Sequence, residues 1–106
     1  MVKIKPKDGV EREINNTIYK MFAAFYNDEF DNTESTFVDI HSEILDINIE
    51  CAKLCERNDD PSDKITKKLK EYPPYMYYFI LEGANYLGFD ILISRCVDLI
   101  RFIIIE

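Results

Sequence analysis

The sulfur and imidazole side chains that could hold a zinc ion in this chain are three cysteines and one histidine. Cys51 and Cys55 are four positions apart, which places both thiols on one face of a helix, where two thiolates can share a zinc ion. Zinc needs two further ligands, and only Cys96 and His41 could supply them. Cys96 lies on an apolar stripe, where cysteine commonly packs as a small hydrophobic side chain. We therefore interpret the cysteines as reduced core residues and predict neither a metal site nor a cofactor.

Nucleophilic or acid–base catalysis would need a side chain held beside suitable partners. The single histidine, His41, is followed by Ser42 and Glu43. Neighbours in sequence at a helix start do not form a nucleophile, a base and an orienting group. A role for His41 in starting or capping that helix is the simpler interpretation. The sequence therefore predicts a protein without enzymatic activity and without catalytic residues.

Tyrosines cluster in YPPYMYYF, residues 72–79, and the basic segment KITKKLK lies just upstream. Tyrosine rings could stack on the bases of single-stranded nucleic acid, but such binders combine the rings with a basic groove, and this chain has a net charge of −7. Tyrosine also suits a protein interface, because it offers a large rigid surface and a polar tip. We therefore predict that some of these tyrosines pack on the core, that others face a protein partner, and that no nucleic acid binds.

The composition is that of one small globular domain. The chain has 106 residues, 47% of them hydrophobic, which is enough for a core without metal or disulfide support. No apolar run reaches the length of a membrane span, and the opening MVKIKPKDG lacks the apolar stretch of a signal peptide. Three cysteines cannot all pair with one another. These features predict a single domain over residues 1–106 in the cytoplasm or nucleus, with no membrane partner.

The amino-terminal segment predicts a β-hairpin. VKIKPKDGVEREI, residues 2–14, alternates apolar and polar residues on both sides of Asp8-Gly9. Glycine tolerates the positive φ that a tight turn requires. Pro6 cannot donate a hydrogen bond within the sheet, so it should lie at a strand end or on an edge strand.

The hydrophobic period then changes to that of a helix. Apolar residues recur at helical spacing, with Asn15 or Asn16 available as a cap. These residues are Ile18, Met21, Phe22 and Phe25. The acidic segment 27–35 predicts a solvated loop, and TFVDI, residues 36–40, predicts a short strand.

The central segment predicts one long buried helix. Ser42 can cap a helix that reaches about Arg57 and carries two adjacent apolar stripes. The stripes are Ile44, Ile47, Cys51, Leu54 and Cys55, beside Leu45, Ile49 and Ala52. The charged segment 57–72, which contains Pro61, predicts a connecting loop with at most a weak helical turn.

The last third of the chain predicts two helices that meet at Gly88, a plausible residue for the end of the first helix. Pro73 and Pro74 suit the first turn of that helix, where a missing N–H does no harm. Its apolar face comprises Met76, Ile80, Gly83 or Ala84, and Leu87. Gly83 would let a neighbouring helix come close, and Asp90 can cap the final helix.

The final helix becomes apolar nearly all round in its last turn, where Phe102 and Ile105 interrupt the polar face. Such a helix is either buried in its own core or covered by a partner. Because a domain of this size can hardly surround it, we expect these residues to contact another chain. The alternative is a frayed end in which they contribute little.

The order of these elements resembles the BTB/POZ fold, and most closely elongin C and the S-phase-kinase-associated adaptors of cullin-RING ubiquitin ligases. VKIKPKDGVEREI is similar to the family's opening hairpin, and VDIHSEILDINIECAKLCERNDDP resembles the strand, helix and acidic exit that follow its variable acidic loop. Residues 75–87 end in ANYL, as the corresponding family helix commonly does, and FDILISRCVDLI is similar to the next helix. The likeness covers nearly the whole chain and implies an α/β (α+β) domain with a three-stranded sheet and about four to five helices.

The resemblance implies an adaptor that binds a cullin on one face and a substrate receptor on another. In the family the Asn-Tyr of this element faces the cullin, which carries over to Asn85 and Tyr86, with Tyr78 and Glu82 one turn earlier. Alternatively, Asn85 satisfies local backbone groups and Tyr86 is half-buried filler. The side expected to bind a receptor or a second copy comprises Leu99, Phe102, Ile103 and Ile105.

The chain also departs from the family pattern. Gly88 stands where the family often has aspartate, and the sequence reaches Glu106 without the terminal helices that grip an F-box in the S-phase-kinase-associated members. An F-box receptor is therefore not carried over. An elongin-type receptor helix in an apolar groove, or a second BTB-like chain, suits the apolar end. The alternative function is a BTB-type dimerisation or scaffold module in a complex unrelated to ubiquitin.

Overall fold

The computed structural model describes residues 2–22 and 36–105, without the side chains of Ile104 and Ile105. Three strands and five helices follow one another, as the predicted α/β (α+β) class requires. They are β1 (Val2–Pro6), β2 (Arg12–Ile14), α1 (Asn16–Met21), β3 (Thr36–Val38), α2 (Ser42–Arg57), α3 (Ser62–Leu69), α4 (Tyr75–Leu87) and α5 (Asp90–Ile105). The predictions for Phe25, for the loop at 27–35 and for the Ile105 side chain lie outside the described residues.

The sheet has β1 at its centre. The strand pairs antiparallel with β2, where Val2 faces Ile14, and parallel with β3, where Ile4 faces Thr36. The hairpin and the short strand β3 are therefore confirmed. Pro6 is the last residue of β1, at a strand end as predicted, although the strand itself is central.

The predicted tight turn at Asp8-Gly9 is wrong. The connection between β1 and β2 spans residues 7–11, and among the described residues only Gly88 has a positive φ. Gly9 serves a different purpose, because a Cβ there would lie 3.0 Å from the Cβ of Ser42. The small residue lets the hairpin loop approach the start of α2.

The loop residue Asp8 caps α2 from a distance of 34 positions in the chain. The backbone N–H of Ser42 donates to Asp8 Oδ1 at 2.7 Å, and His41 Nδ1 lies 3.3 Å from Asp8 Oδ2. Ser42 is the first helical residue rather than the predicted cap, and His41 occupies the N-cap position without a side-chain capping bond. The Ser42 hydrogen bond, aided by His41, lowers the pKa of Asp8.

The capping residue of α1 is Asn15, one of the two predicted candidates. Its side-chain oxygen accepts from the N–H of Ile18 at 2.8 Å. The two predicted stripes of α2 are indeed mostly buried, and Asn48 is fully buried beside them. Arg12 makes a further contact between the hairpin and α2. Its guanidinium donates to both carboxylate oxygens of Asp46 at 2.7 and 3.2 Å.

The loop predicted over residues 57–72 is wrong, because this segment contains the two-turn helix α3. Ile65 and Leu69 are fully buried at a spacing of four residues, which fixes one face of α3 on the core. The other positions are mostly charged or polar, which hid this narrow apolar stripe in the sequence.

The joint between α4 and α5 forms as predicted. Gly88 adopts the left-handed conformation, with φ 72° and ψ 32°, which glycine reaches without a steric penalty. The Phe89 N–H donates to the carbonyl of Ala84 at 2.9 Å, which satisfies an orphan group at the helix end. Asp90 is the first helical residue of α5 rather than its cap, since the Phe89 carbonyl accepts the N–H of Ile93.

The core lies between the sheet and the helices, with α2 and α4 in close contact. The predicted apolar face of α4 is buried, and a Cβ on Gly83 would lie only 2.5 Å from Ile44 Cγ2. The predicted close approach at Gly83 is therefore confirmed. Phe22 and Phe89 meet edge to face, with ring centroids 5.5 Å apart. None of the described helices combines the length and apolar character that a membrane span requires.

Candidate functional site

The outward face of α4 is an exposed stripe of aromatic and polar side chains, which we call the α4 surface. Its members occupy one arc of the helix, opposite the buried face. They are Tyr75, Tyr78, Phe79, Glu82, Asn85 and Tyr86. Tyr78 is 51% exposed and Tyr86 is 44% exposed. The four residues predicted for cullin binding thus lie together on one accessible surface.

Two members of the α4 surface, Tyr75 and Phe79, were not among the predicted site residues. Both are exposed large hydrophobic side chains. With Glu82 and Tyr86 they follow the spacing i, i+4, i+7 and i+11, which marks one helix face. That spacing could have identified both residues from the sequence. From the sequence we predicted only that some tyrosines of this segment are buried and others exposed, without saying which.

Tyr86 has a structural contact as well as an exposed ring. Its hydroxyl accepts a hydrogen bond from the backbone N–H of Asp39 at 3.3 Å, which ties the end of α4 to the residue that follows β3. The neighbouring Asn85 is exposed, and its backbone carbonyl accepts the N–H of Gly88 at 3.2 Å. In the part of the chain that is described, the Asn85 side chain has no hydrogen bond. Within the described chain, the amide of Asn85 and the exposed part of the Tyr86 side chain are therefore available to a partner.

A cleft of about 200 Å³ adjoins the α4 surface, between α4 and the segment joining β3 to α2. Phe79 and Glu82 form one wall, and Asp39 and His41 belong to the other. Lys7 also lines the cleft, with its ammonium nitrogen 3.9 Å from the Asp39 carboxylate. The α4 surface thus continues into a small depression with both apolar and charged walls.

A second surface lies at the far end of α5. Phe102 is 68% exposed, Ile103 is 38% exposed and Leu99 is half-buried. A groove of about 600 Å³ runs between α3 and α5, and we call it the α3–α5 groove. Its lining consists of Thr66, Lys70, Arg95, Asp98, Leu99, Arg101 and Phe102.

Of the residues predicted to bind a receptor or a second copy, Leu99 and Phe102 line the α3–α5 groove, and Ile103 is exposed beyond that lining. The sequence interpretation missed the second wall of the groove, because the segment that forms α3 was assigned to a loop. Ser62 and Asp63 before an Ile65–Leu69 pair resemble a helix start followed by a narrow apolar stripe, and this signal could have revealed α3.

The Asn85–Tyr86 end of the α4 surface and Phe102 of the α3–α5 groove lie toward opposite ends of α5. Asn85 and Tyr86 precede the joint at Gly88, whereas Phe102 lies twelve residues after Asp90, or about 18 Å along the helix axis. Two partners could therefore contact these two positions at the same time.

The cysteines belong to the core rather than to either surface. Cys51 and Cys96 are fully buried, and burial raises the pKa of each thiol to about 12. Cys55 is half-buried, and burial raises its pKa as well. A zinc ligand or nucleophile requires the thiolate, which these environments disfavour. No group of three or more metal-ligating side chains occurs within residues 2–22 and 36–103.

No protein-family model, curated protein or solved structure matches this chain significantly, so the case for a function depends on the residues and surfaces described above.

Proposed function

We propose that this protein is a non-enzymatic adaptor subunit of a cullin-RING E3 ubiquitin ligase, with a BTB/POZ-like domain similar to elongin C and the S-phase-kinase-associated adaptors. The α4 surface would bind the amino-terminal helices of a cullin, and the end of α5 with the α3–α5 groove would hold a substrate receptor. One observation carries the proposal: helices α3, α4 and α5 present two separate surfaces, each with exposed large hydrophobic side chains.

The arrangement of elements supports the BTB/POZ-like assignment. A hairpin, a helix, a third strand beside β1 and a run of helices follow in the order that the resemblance implies. The five helices of residues 2–22 and 36–105 agree with the four to five that the resemblance implies. The ANYL segment ends α4, and the following Gly88 turns the chain directly into α5.

The chemistry of the α4 surface supports a protein partner. Tyrosines with exposed rings dominate binding energy in many interfaces, because they bury a large area while losing little conformational freedom. The helix is fixed from behind by its buried face, so Tyr78 and Tyr86 project from a rigid support. A rigid surface reduces the entropy lost on association.

The test measures binding of the purified chain to purified amino-terminal domains of several cullins by titration calorimetry. We expect at least one cullin to bind and the double variant Glu82→Lys/Asn85→Lys to weaken it by about tenfold or more, since it places two cations in the contact. Tyr78→Ala should also weaken binding. Phe37→Ala is the matched control for Tyr78→Ala, because Phe37 is an exposed aromatic residue (60% against 51% for Tyr78) that lies on β3.

The proposal fails if none of the cullins binds the folded wild-type chain, or if the variants on the α4 surface bind as tightly as wild type. Thermal unfolding of each variant verifies that it is folded. We avoid replacing Tyr86 in this test, because its hydroxyl also supports the backbone at Asp39.

The exposed Phe102 and Ile103 favour a second candidate function, a BTB-type dimerisation or scaffold module. Sedimentation of the wild type and of Phe102→Glu separates the two. A dimer that the charge disrupts, together with no cullin binding, would support the scaffold, whereas a monomer with cullin binding supports the adaptor.

A further inference from the structure

We infer that the α3–α5 groove binds an acidic amphipathic helix of a partner protein, with a large apolar side chain between Leu99 and Phe102 and carboxylates beside Lys70 and Arg101. This inference rests on the receptor side of the proposed function, because it names the chemistry of the receptor segment. It does not depend on cullin binding.

The floor of the groove is suited to an apolar side chain. Leu99 is half-buried and Phe102 is among the most exposed large hydrophobic residues of the described chain. The volume of about 600 Å³ falls within the range of sites that enclose a ligand, roughly 300–1,000 Å³. A helix lying along α5 could insert one side chain there and cover the Phe102 ring.

The rim of the groove has the opposite charge to the protein as a whole. The chain carries a net charge of −7, yet three of the four charged residues lining the groove are basic. Arg95 is neutralised by Asp98, with the guanidinium donating to the carboxylate at 2.7 Å. Lys70 and Arg101 have no ion pair with any described residue. Among the described residues, two unpaired cations therefore line the groove together with the apolar Leu99 and Phe102.

This charge pattern favours an acidic partner over a second copy of the chain. A two-fold dimer brings the same patch of both subunits together, which would place Lys70 and Arg101 near their own copies. Like charges facing one another oppose association. Nucleic acid is disfavoured as well, because most of the remaining charge on the protein is negative.

In the experiment, the chain is immobilised and used to select binders from a phage-display library. The library consists of helical peptides with randomised surface positions. We expect the selected sequences to carry Asp or Glu within one turn of a large apolar residue. Selected peptides are then synthesised, and their affinities are measured by fluorescence anisotropy at low and high salt. Affinity should fall as salt rises, because screening weakens the contacts with Lys70 and Arg101.

Variants connect the selected peptides to the groove. Phe102→Ala should weaken peptide binding by about tenfold or more, and Lys70→Glu/Arg101→Glu by several-fold. The matched controls are Phe37→Ala and Lys5→Glu/Lys20→Glu, which alter an exposed phenylalanine and two exposed cations elsewhere. All these side chains are exposed, so the variants should fold, and thermal unfolding verifies this.

Several outcomes would overturn the inference: no selected peptides, selected peptides without acidic residues, or affinities that the groove variants leave unchanged. A concentration-dependent dimer that Phe102→Ala disrupts would identify a second copy as the occupant. Binding of a single-stranded oligonucleotide that Lys70→Glu/Arg101→Glu abolishes would identify nucleic acid.

One further occupant is the chain's own acidic segment. Tighter peptide binding after serine replaces Asp28, Glu29, Asp31 and Glu34 would identify that segment and overturn the inference. The cullin measurement is independent of this test. Peptide binding without cullin binding would reject the adaptor function and support the groove assignment. Cullin binding without peptide binding would support the adaptor function and reject the groove assignment.

Discussion

The α4 surface and the α3–α5 groove differ in charge and in support. Helix α4 contains no lysine or arginine, and its surface carries Glu82, whereas Lys70 and Arg101 border the groove. The α4 surface is backed by α2 and tied at Asp39, while the groove is formed by the short helix α3 and the end of α5. The difference shows how the neighbouring helices α3, α4 and α5 present two surfaces of distinct chemistry.

The largest expected effect comes from replacing the residue that lets α4 lie against α2. A Cβ on Gly83 would lie 2.5 Å from Ile44 Cγ2 and 3.3 Å from Asn48 Nδ2, so Gly83→Val forces the helices apart. We expect about 1–3 kcal/mol lower free energy of unfolding, as for other overpacked cores. Partner binding on the α4 surface should weaken more than peptide binding in the groove. Urea unfolding and both binding assays measure this.

The matched control is Ser94→Val, which places the same side chain on an exposed position of α5. Ile44→Ala should partly relieve Gly83→Val, so that the two changes are not additive. The contrary result is a free energy of unfolding for Gly83→Val within about 0.5 kcal/mol of the wild-type value, as for a neutral surface change. That result would show that the close contact does not position α4.

A smaller effect should follow from Tyr86→Phe, which removes only the hydroxyl that accepts the Asp39 N–H. We expect a loss of up to about 1 kcal/mol in the free energy of unfolding, since the bond is neutral and solvent can replace it. Tyr78→Phe is the control, because no hydrogen bond of its hydroxyl occurs among the described residues. Equal losses in both variants, measured by urea unfolding, would show that the tie to Asp39 adds nothing.

The smallest effect concerns acid stability. The pKa of Asp8 is lowered mainly by the Ser42 N–H, so its folded pKa lies below the ordinary value of 3.8. The resulting stability is present above that value and is lost as pH falls through the lowered pKa. We expect Asp8→Asn to reduce the stability difference between pH 6 and pH 3, because asparagine can accept the same bond without titrating.

Urea unfolding at several pH values measures this change, with Asp59→Asn as a control on an exposed loop residue. An unaltered acid response in Asp8→Asn would show that other carboxylates account for it.

The parts of the molecule that sequence reasoning predicted are those with local signatures. Gly88 was identified because a helix end requires a left-handed residue, and Gly83 because a small residue interrupts a buried helix face. The alternating apolar and polar residues correctly predicted the hairpin. They did not predict the conformation of Gly9, which has no positive φ. Helix α3 was missed because its stripe has only Ile65 and Leu69 on a charged background.

The features that escaped prediction join residues far apart in the chain. Asp8 reaches Ser42 across 34 positions, and Tyr86 reaches Asp39 across 47. A side chain that bonds to a distant backbone group leaves no periodic signal, and an aspartate in a loop resembles any other until the fold brings its partner close. Four residues of the exposed face of α4 were predicted, whereas its anchoring at Asp39 depended on such a contact. The α3 wall of the groove was missed together with α3 itself.

The cap that Asp8 provides to α2 also has a consequence for folding kinetics. An ordinary capped helix can begin from neighbouring residues within microseconds, but the first turn of α2 gains its cap only after the hairpin loop has closed over it. The same closure aligns β3 parallel to β1, where Ile4 meets Thr36. Because long loops close at an entropic cost before their contacts form, these two events should belong to one late cooperative step, and the amide of Ser42 should become protected from exchange together with β3.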